Sequence, residues 1–114
     1  MTEQITRPTA WVRACAVDEV PEQGAVKIDD VAAFPIAIVR DAGELHAIYD
    51  VCSHAFVFLS EGEVSDCAIE CWLHGARFDL RTGAALSLPA TEPVPVFPVK
   101  VEDDAVFVEL PLES

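Results

Sequence analysis

Two short pairs of side chains in this sequence could do chemistry. Cys52-Ser53-His54 sets a thiol and an imidazole two positions apart, and Cys71-Trp72-Leu73-His74 sets a second such pair three apart. Sixteen residues, Ala55 to Glu70, lie between the pairs. A gap of one or two residues lets a tight loop offer both side chains to one centre, and two such loops can close on it from opposite sides. Four chemistries are open to this set. The simplest is two buried thiols and two hydrogen-bonded histidines with no ligand. A structural zinc ion would take two sulfurs and two nitrogens tetrahedrally. Zinc fingers, however, usually set two cysteines together and then two histidines, whereas here each loop supplies one of each. A Cys–His nucleophile pair is a third, and it leaves the duplication unexplained. The fourth is a [2Fe–2S] cluster held by two thiolates and two imidazoles.

The segments that must position these pairs read as an all-β protein. Eight prolines are spread along the chain, and the apolar runs are short, rich in Val and Ile, and bounded by turn residues. Strands are expected at Ala10–Ala16 and Gly24–Ile28. Pro35–Arg40 and Leu45–Tyr49 flank Asp41-Ala42-Gly43-Glu44, a hairpin signal. Val96–Glu102 and Ala105–Leu110 flank Asp103-Asp104, with Val99, Val101, Val106 and Val108 at the strand period of two. One short helical candidate lies at Val17–Pro21. The stretch from Asp50 to Pro89 holds three of the four cysteines and two of the three histidines. It reads as a loop-rich sub-lobe, about 50–89, inserted in a larger sheet made by the two ends of one domain spanning 1–114.

Composition narrows the partners. Seven basic against 20 acidic side chains give a formal charge of −13, so there is no basic face for nucleic-acid phosphates, and an anionic membrane surface would repel the chain. The longest apolar run, Val31 to Val39, is interrupted by Pro35 and falls far short of the roughly 20 residues a membrane helix needs. Met1-Thr2-Glu3-Gln4 carries no signal-peptide pattern. These features predict a cytoplasmic protein, in which four cysteines read as metal ligands or buried thiols rather than two disulfides. Six acids between positions 50 and 79 (Asp50, Glu61, Glu63, Asp66, Glu70 and Asp79) face only Arg77 and would steer the chain toward basic protein surfaces. There is no G-x-G-x-x-G fingerprint, and His46 is the single histidine outside the two pairs. No second metal site of two histidines and a carboxylate can therefore be assembled.

Cys-x-His, sixteen residues, then Cys-x-x-His followed by Gly75 resembles the binding signature of Rieske iron–sulfur proteins. Leu59-Ser60-Glu61-Gly62, the stretch from His74 to Gly83, and Leu88-Pro89-Ala90-Thr91-Glu92-Pro93 are similar to soluble Rieske-type ferredoxins. With the flanking strands the likeness runs from about Val12 to Leu110. It implies that Cys52 and Cys71 bind one iron and His54 and His74 the other. It also implies a Rieske fold of three antiparallel sheets, with a small cluster-binding lobe inserted in a larger basal domain and a third loop near Ser87–Ala90 over the cluster. The function it implies is electron transfer rather than catalysis: a monomeric carrier between an NAD(P)H-dependent reductase and the terminal oxygenase of an aromatic-ring dioxygenase. Alternatives within the resemblance are a small Rieske-like subunit of a nitrite reductase and an auxiliary ferredoxin of iron–sulfur assembly. High-potential Rieske proteins add a disulfide between the two loops and hydroxyls just after the second histidine. The corresponding positions here are Val57 and Leu73, then Ala76 and Phe78.

Exposed apolar residues near the ligands, with Phe56, Trp72, Leu88 and Pro89 as candidates, would form a small docking patch. Cys15 and Cys67 read as buried thiols in strand-like segments, His46 as a plain strand residue and Gly83 as a hairpin glycine. Gly75 is expected to permit a sharp turn or a close approach to the cluster.

Overall fold

The computed structural model describes residues 9–32, 34–52, 57–73, 75–88 and 92–111. The strands are β1 (Thr9–Ala16), β2 (Gly24–Ile28), β3 (Ile36–Asp41), β4 (Glu44–Tyr49), β5 (Val64–Ser65), β6 (Ala68–Glu70), β7 (Arg77–Asp79), β8 (Val96–Phe97), β9 (Val99–Glu102) and β10 (Ala105–Pro111). They form three antiparallel sheets, in the orders β1-β10-β9, β2-β3-β4-β8 and β5-β6-β7.

Two buried clusters set the layers. Ile36, Ile38 and Ala47 pack with Cys15, Val106 and Val108. Ala37, Val39 and Ile48 pack instead with Leu59, Ile69 and Phe78. Successive residues of a strand point to opposite faces, so the sheet containing β3 and β4 is the middle layer, covered on both sides. That explains the unbroken Ile36-Ala37-Ile38-Val39 run, in which all four residues are 0% exposed.

Turn chemistry sets the registers. Ala42 and Gly43 both have positive φ, 52° and 85°, as the two central residues of a type I′ hairpin require. Asp103 and Asp104, at 52° and 62°, make the same turn between β9 and β10. In β1 the register slips between Arg13 and Cys15, and this bulge at Ala14 turns Cys15 into the core, 3% exposed.

Three expectations need correction. Val96–Glu102 is not one strand: Pro98, which has no N–H to donate, divides it. β8 pairs with β4 in the middle sheet and β9 with β10 in the outer one, while the Pro98 carbonyl accepts the Glu109 N–H at 3.0 Å. Val17–Pro21 forms only a single 3-10 turn, Val17–Glu19. Cys67 lies in no strand. It occupies the turn between β5 and β6 with φ of 58° and is half-buried.

Candidate metal centre

Each cysteine of the two pairs begins a closed six-residue loop. In the first, Val51 bridges Phe58, the Cys52 N–H donates to the Val57 carbonyl at 3.0 Å, and the Leu59 N–H donates to the Asp50 carbonyl at 3.0 Å. In the second, β6 and β7 pair through Glu70 and Arg77, and the Cys71 N–H donates to the Ala76 carbonyl at 2.6 Å. The Gly75 N–H returns to the Cys71 carbonyl at 2.8 Å, with Gly75 at φ 78°, so the expected sharp turn is present. The same main-chain closure thus occurs twice. Cys52 and Cys71, 3% and 0% exposed, both enter the apolar cluster that includes Leu59, Ala76 and Phe78. His54 and His74 fall within these loops by sequence and lie outside the described residues, as do Phe56 and Pro89. Among the described residues no three His, Cys, Asp or Glu side chains gather as a metal site. Two soft sulfur donors in an apolar pocket, with no disulfide on either, fit an iron–sulfur cluster.

The third segment is anchored to the second loop. Ser87 Oγ accepts the Arg77 N–H at 3.0 Å, the Leu86 N–H donates to the Arg77 carbonyl at 2.7 Å, and Ala85 bridges Phe78. The glycine at the base of this segment does more than turn a hairpin. Gly83 has φ of 81°, and a Cβ there would lie 1.9 Å from the Val94 carbonyl oxygen. Of the docking candidates, Trp72 and Leu88 are exposed, and Leu73 and Leu86 join them. Sequence reasoning missed the last two, although a Cys-x-x-His loop places residue 73 on the same tip as residue 72.

The acidic surface is smaller than expected. Glu61, Glu63 and Asp66 are exposed, but Asp50 is 0% exposed and acts inside the protein. Its two carboxylate oxygens accept the Ser60 N–H and Oγ–H, each at 2.6 Å. Burial raises its pKa, while Ser60 and Lys27 oppose the rise. Asp79 caps its own turn, accepting the N–H groups of Arg81 at 2.7 Å and Thr82 at 3.1 Å.

A polar link joins the middle sheet to the small one. Asp41 Oδ1 accepts Gln23 Nε2, which also donates to the Val64 carbonyl at 2.9 Å, and Asp41 Oδ2 accepts the Cys67 N–H. These donors, Gln23 first, hold the Asp41 carboxyl below its usual range.

His46 in β4 is less plain than expected. Its Nε2 is buried with no hydrogen-bond partner, 3.7 Å from Glu44 Oε1. Burial lowers its pKa from the ordinary 6.5 more than Glu44 raises it. The folded state therefore resists a proton that the unfolded chain accepts, and stability is lost as pH falls below about 6.5. The urea midpoint should drop between pH 7.5 and 5.5, and His46→Leu should flatten that drop. An equal drop in both proteins would exclude His46 as its source.

The sequence matches the family described as "Rieske [2Fe-2S] domain" over residues 10–98. It is 46% identical over 101 residues to the 3-phenylpropionate/cinnamic acid dioxygenase ferredoxin subunit of Escherichia coli strain K12, covering 88% of this chain and 93% of that protein. The fold is similar to that of the Sphingomonas yanoikuyae B1 ferredoxin, with TM-score 0.84 and 30% identity over 90% of this chain and 100% of that one. It is also similar to a chain from the complex of reduced oxygenase and oxidised ferredoxin in carbazole 1,9a-dioxygenase, with TM-score 0.79 and 35% identity over 86% and 91% of the two chains. Twin cysteine hairpins, three antiparallel sheets and these likenesses agree: the chain belongs to the Rieske [2Fe–2S] domain family.

Proposed function

We propose that this chain is a one-electron carrier that takes an electron from an NAD(P)H-dependent reductase and delivers it to the terminal Rieske oxygenase of an aromatic-ring dioxygenase. The observation that carries this is the pair of equivalent main-chain closures whose cysteines are buried in one apolar cluster, with Trp72 and Leu73 exposed next to the second. In this reading Cys52 and Cys71 hold one iron and His54 and His74 the other, and the cluster supplies reversible one-electron chemistry. The chain's own residues exclude water behind the thiols, through Leu59, Ala76 and Phe78, and offer Trp72, Leu73, Leu86 and Leu88 for docking. The relatives' names favour an oxygenase as partner, and the carbazole ferredoxin is seen together with one. The carrier acts as a monomer in the cytoplasm; among the described residues no helix is long and apolar enough to cross a membrane.

Iron, sulfide and zinc analysis of protein purified without added metal, with an EPR spectrum after dithionite reduction, tests the proposal. Two irons, two sulfides and a Rieske-type signal of low average g support it. Stoichiometric zinc and EPR silence would turn the same residues into a structural clamp. Delivery to an oxygenase is tested by turnover in a mixture of reductase, this chain and oxygenase. If Glu61, Glu63 and Asp66 steer docking, the second-order rate should fall by about tenfold or more as salt rises from low to several hundred millimolar. A rate insensitive to ionic strength would exclude steering.

A further inference from the structure

The two cysteine hairpins meet at a glycine. Gly62 closes the 3-10 turn Leu59–Glu61 at the end of the first hairpin. A Cβ built on it would lie 1.6 Å from the carbonyl oxygen of Glu70 and 2.9 Å from its carbonyl carbon. Glu70 is the residue immediately before Cys71. Its N–H also donates to the Glu63 carbonyl at 2.8 Å, so residues 62 and 63 sit directly against the entry to the second loop. The φ of Gly62 is −94°, which any residue can adopt. What the position demands is space, and the contact is with rigid backbone rather than with a side chain that could swing away. Real Cβ atoms essentially never come within 3.0 Å of another heavy atom, so a methyl group here must move residue 62 and the Glu70 carbonyl apart by more than an ångström, at the point where the first hairpin's exit meets the second's entry. The other end of the same turn is fastened to the first hairpin by Ser60, through its two 2.6 Å hydrogen bonds to Asp50.

We propose that the Asp50–Ser60 bonds and the Gly62 seat form one spacer that sets the separation of Cys52 and Cys71, making Gly62 and Ser60 positioning residues for the cluster. This rests on the ligand assignment proposed above. A cluster has fixed dimensions, so hairpins held at another distance would bind it with distorted ligand geometry.

The test compares wild-type, Gly62→Ala, Ser60→Ala and Gly43→Ala proteins, each purified with its cluster. Three readouts are taken: EPR g-values, midpoint potential and the rate of iron release to a chelator. Gly43 is the control: it has φ of 85° and nothing within 4 Å of its Cβ position, so its substitution strains the backbone without moving the hairpins. Gly62→Ala is expected to shift the g-values and the potential and to speed iron release by about 10–100-fold, the range for losing an outer support of a metal site. Ser60→Ala is expected to change the same readouts in the same direction to a smaller extent. Gly43→Ala should lower the melting temperature and leave all three unchanged. A folded Gly62→Ala protein with wild-type values would overturn the proposal, as would equal changes in Gly43→Ala. If Gly62→Ala yields no folded protein, Ser60→Ala decides, and wild-type readouts there overturn the spacer. A wild-type chain without a cluster fails earlier and rejects the ligand reading itself.

Discussion

Cys71→Ser is expected to yield a chain with no stoichiometric iron or sulfide and no EPR signal after dithionite, and Cys52→Ser to do the same. The serine hydroxyl nearly matches the thiol in size but not in softness or acidity, so it removes the donor without opening a cavity. The loop closures use only main-chain groups: the Cys52 N–H to Val57 and the Cys71 N–H to Ala76. Both variants should therefore keep the β-sheet circular-dichroism spectrum while losing the visible absorbance. His54→Ala and His74→Ala are expected to lose the cluster as well. Survival of a normal Rieske spectrum in any one of the four would remove that residue from the ligand set.

The second large effect is on the midpoint potential, which is expected at the low end of the Rieske range, near about −150 mV. Two ferric ions, two sulfides and two thiolates sum to zero charge, so reduction leaves a single negative charge where four thiolates would leave three. Imidazole ligation thus lifts the potential above that of plant-type ferredoxins, at about −400 mV. How far it rises depends on donors near the sulfurs. Ala76 and Phe78, both 0% exposed beside Cys71, carry no hydroxyl. The chain's charge of −13 also opposes an added electron. A midpoint above zero would refute this account. Ala76→Ser should raise the potential by on the order of tens of millivolts if its hydroxyl reaches a sulfur.

Much of this molecule is legible in its residues. The strands of the two larger sheets follow from alternation and from paired turn residues, and β2 falls at Gly24–Ile28 as read. Cys52 and Cys71 are both buried in one apolar cluster. What could not be read depends on long-range contact. The acid spacing along 50–79 looks like one solvated face, yet Asp50 is turned inward by Ser60, ten residues on. The Gln23–Asp41–Cys67 link joins three segments with no shared motif. Nothing local distinguishes Gly62 and Gly83, which are jammed against distant carbonyls, from Gly43, which is open. Pro98 is visible in the sequence, but its passage of the chain between two sheets is a tertiary fact.

The thinness of the third layer has a consequence in time. β5, β6 and β7 run to two, three and three residues, too short to persist as a free sheet. They last only while Ile69 and Phe78 press on Ala37, Val39 and Ile48. Their amides should therefore exchange through a local opening, at a free energy below that needed to expose β3 or β10. The second cysteine loop, carried on β6 and β7, is then expected to open while the two larger sheets stay folded, and a cluster bound there should lose and regain iron and sulfide without global unfolding.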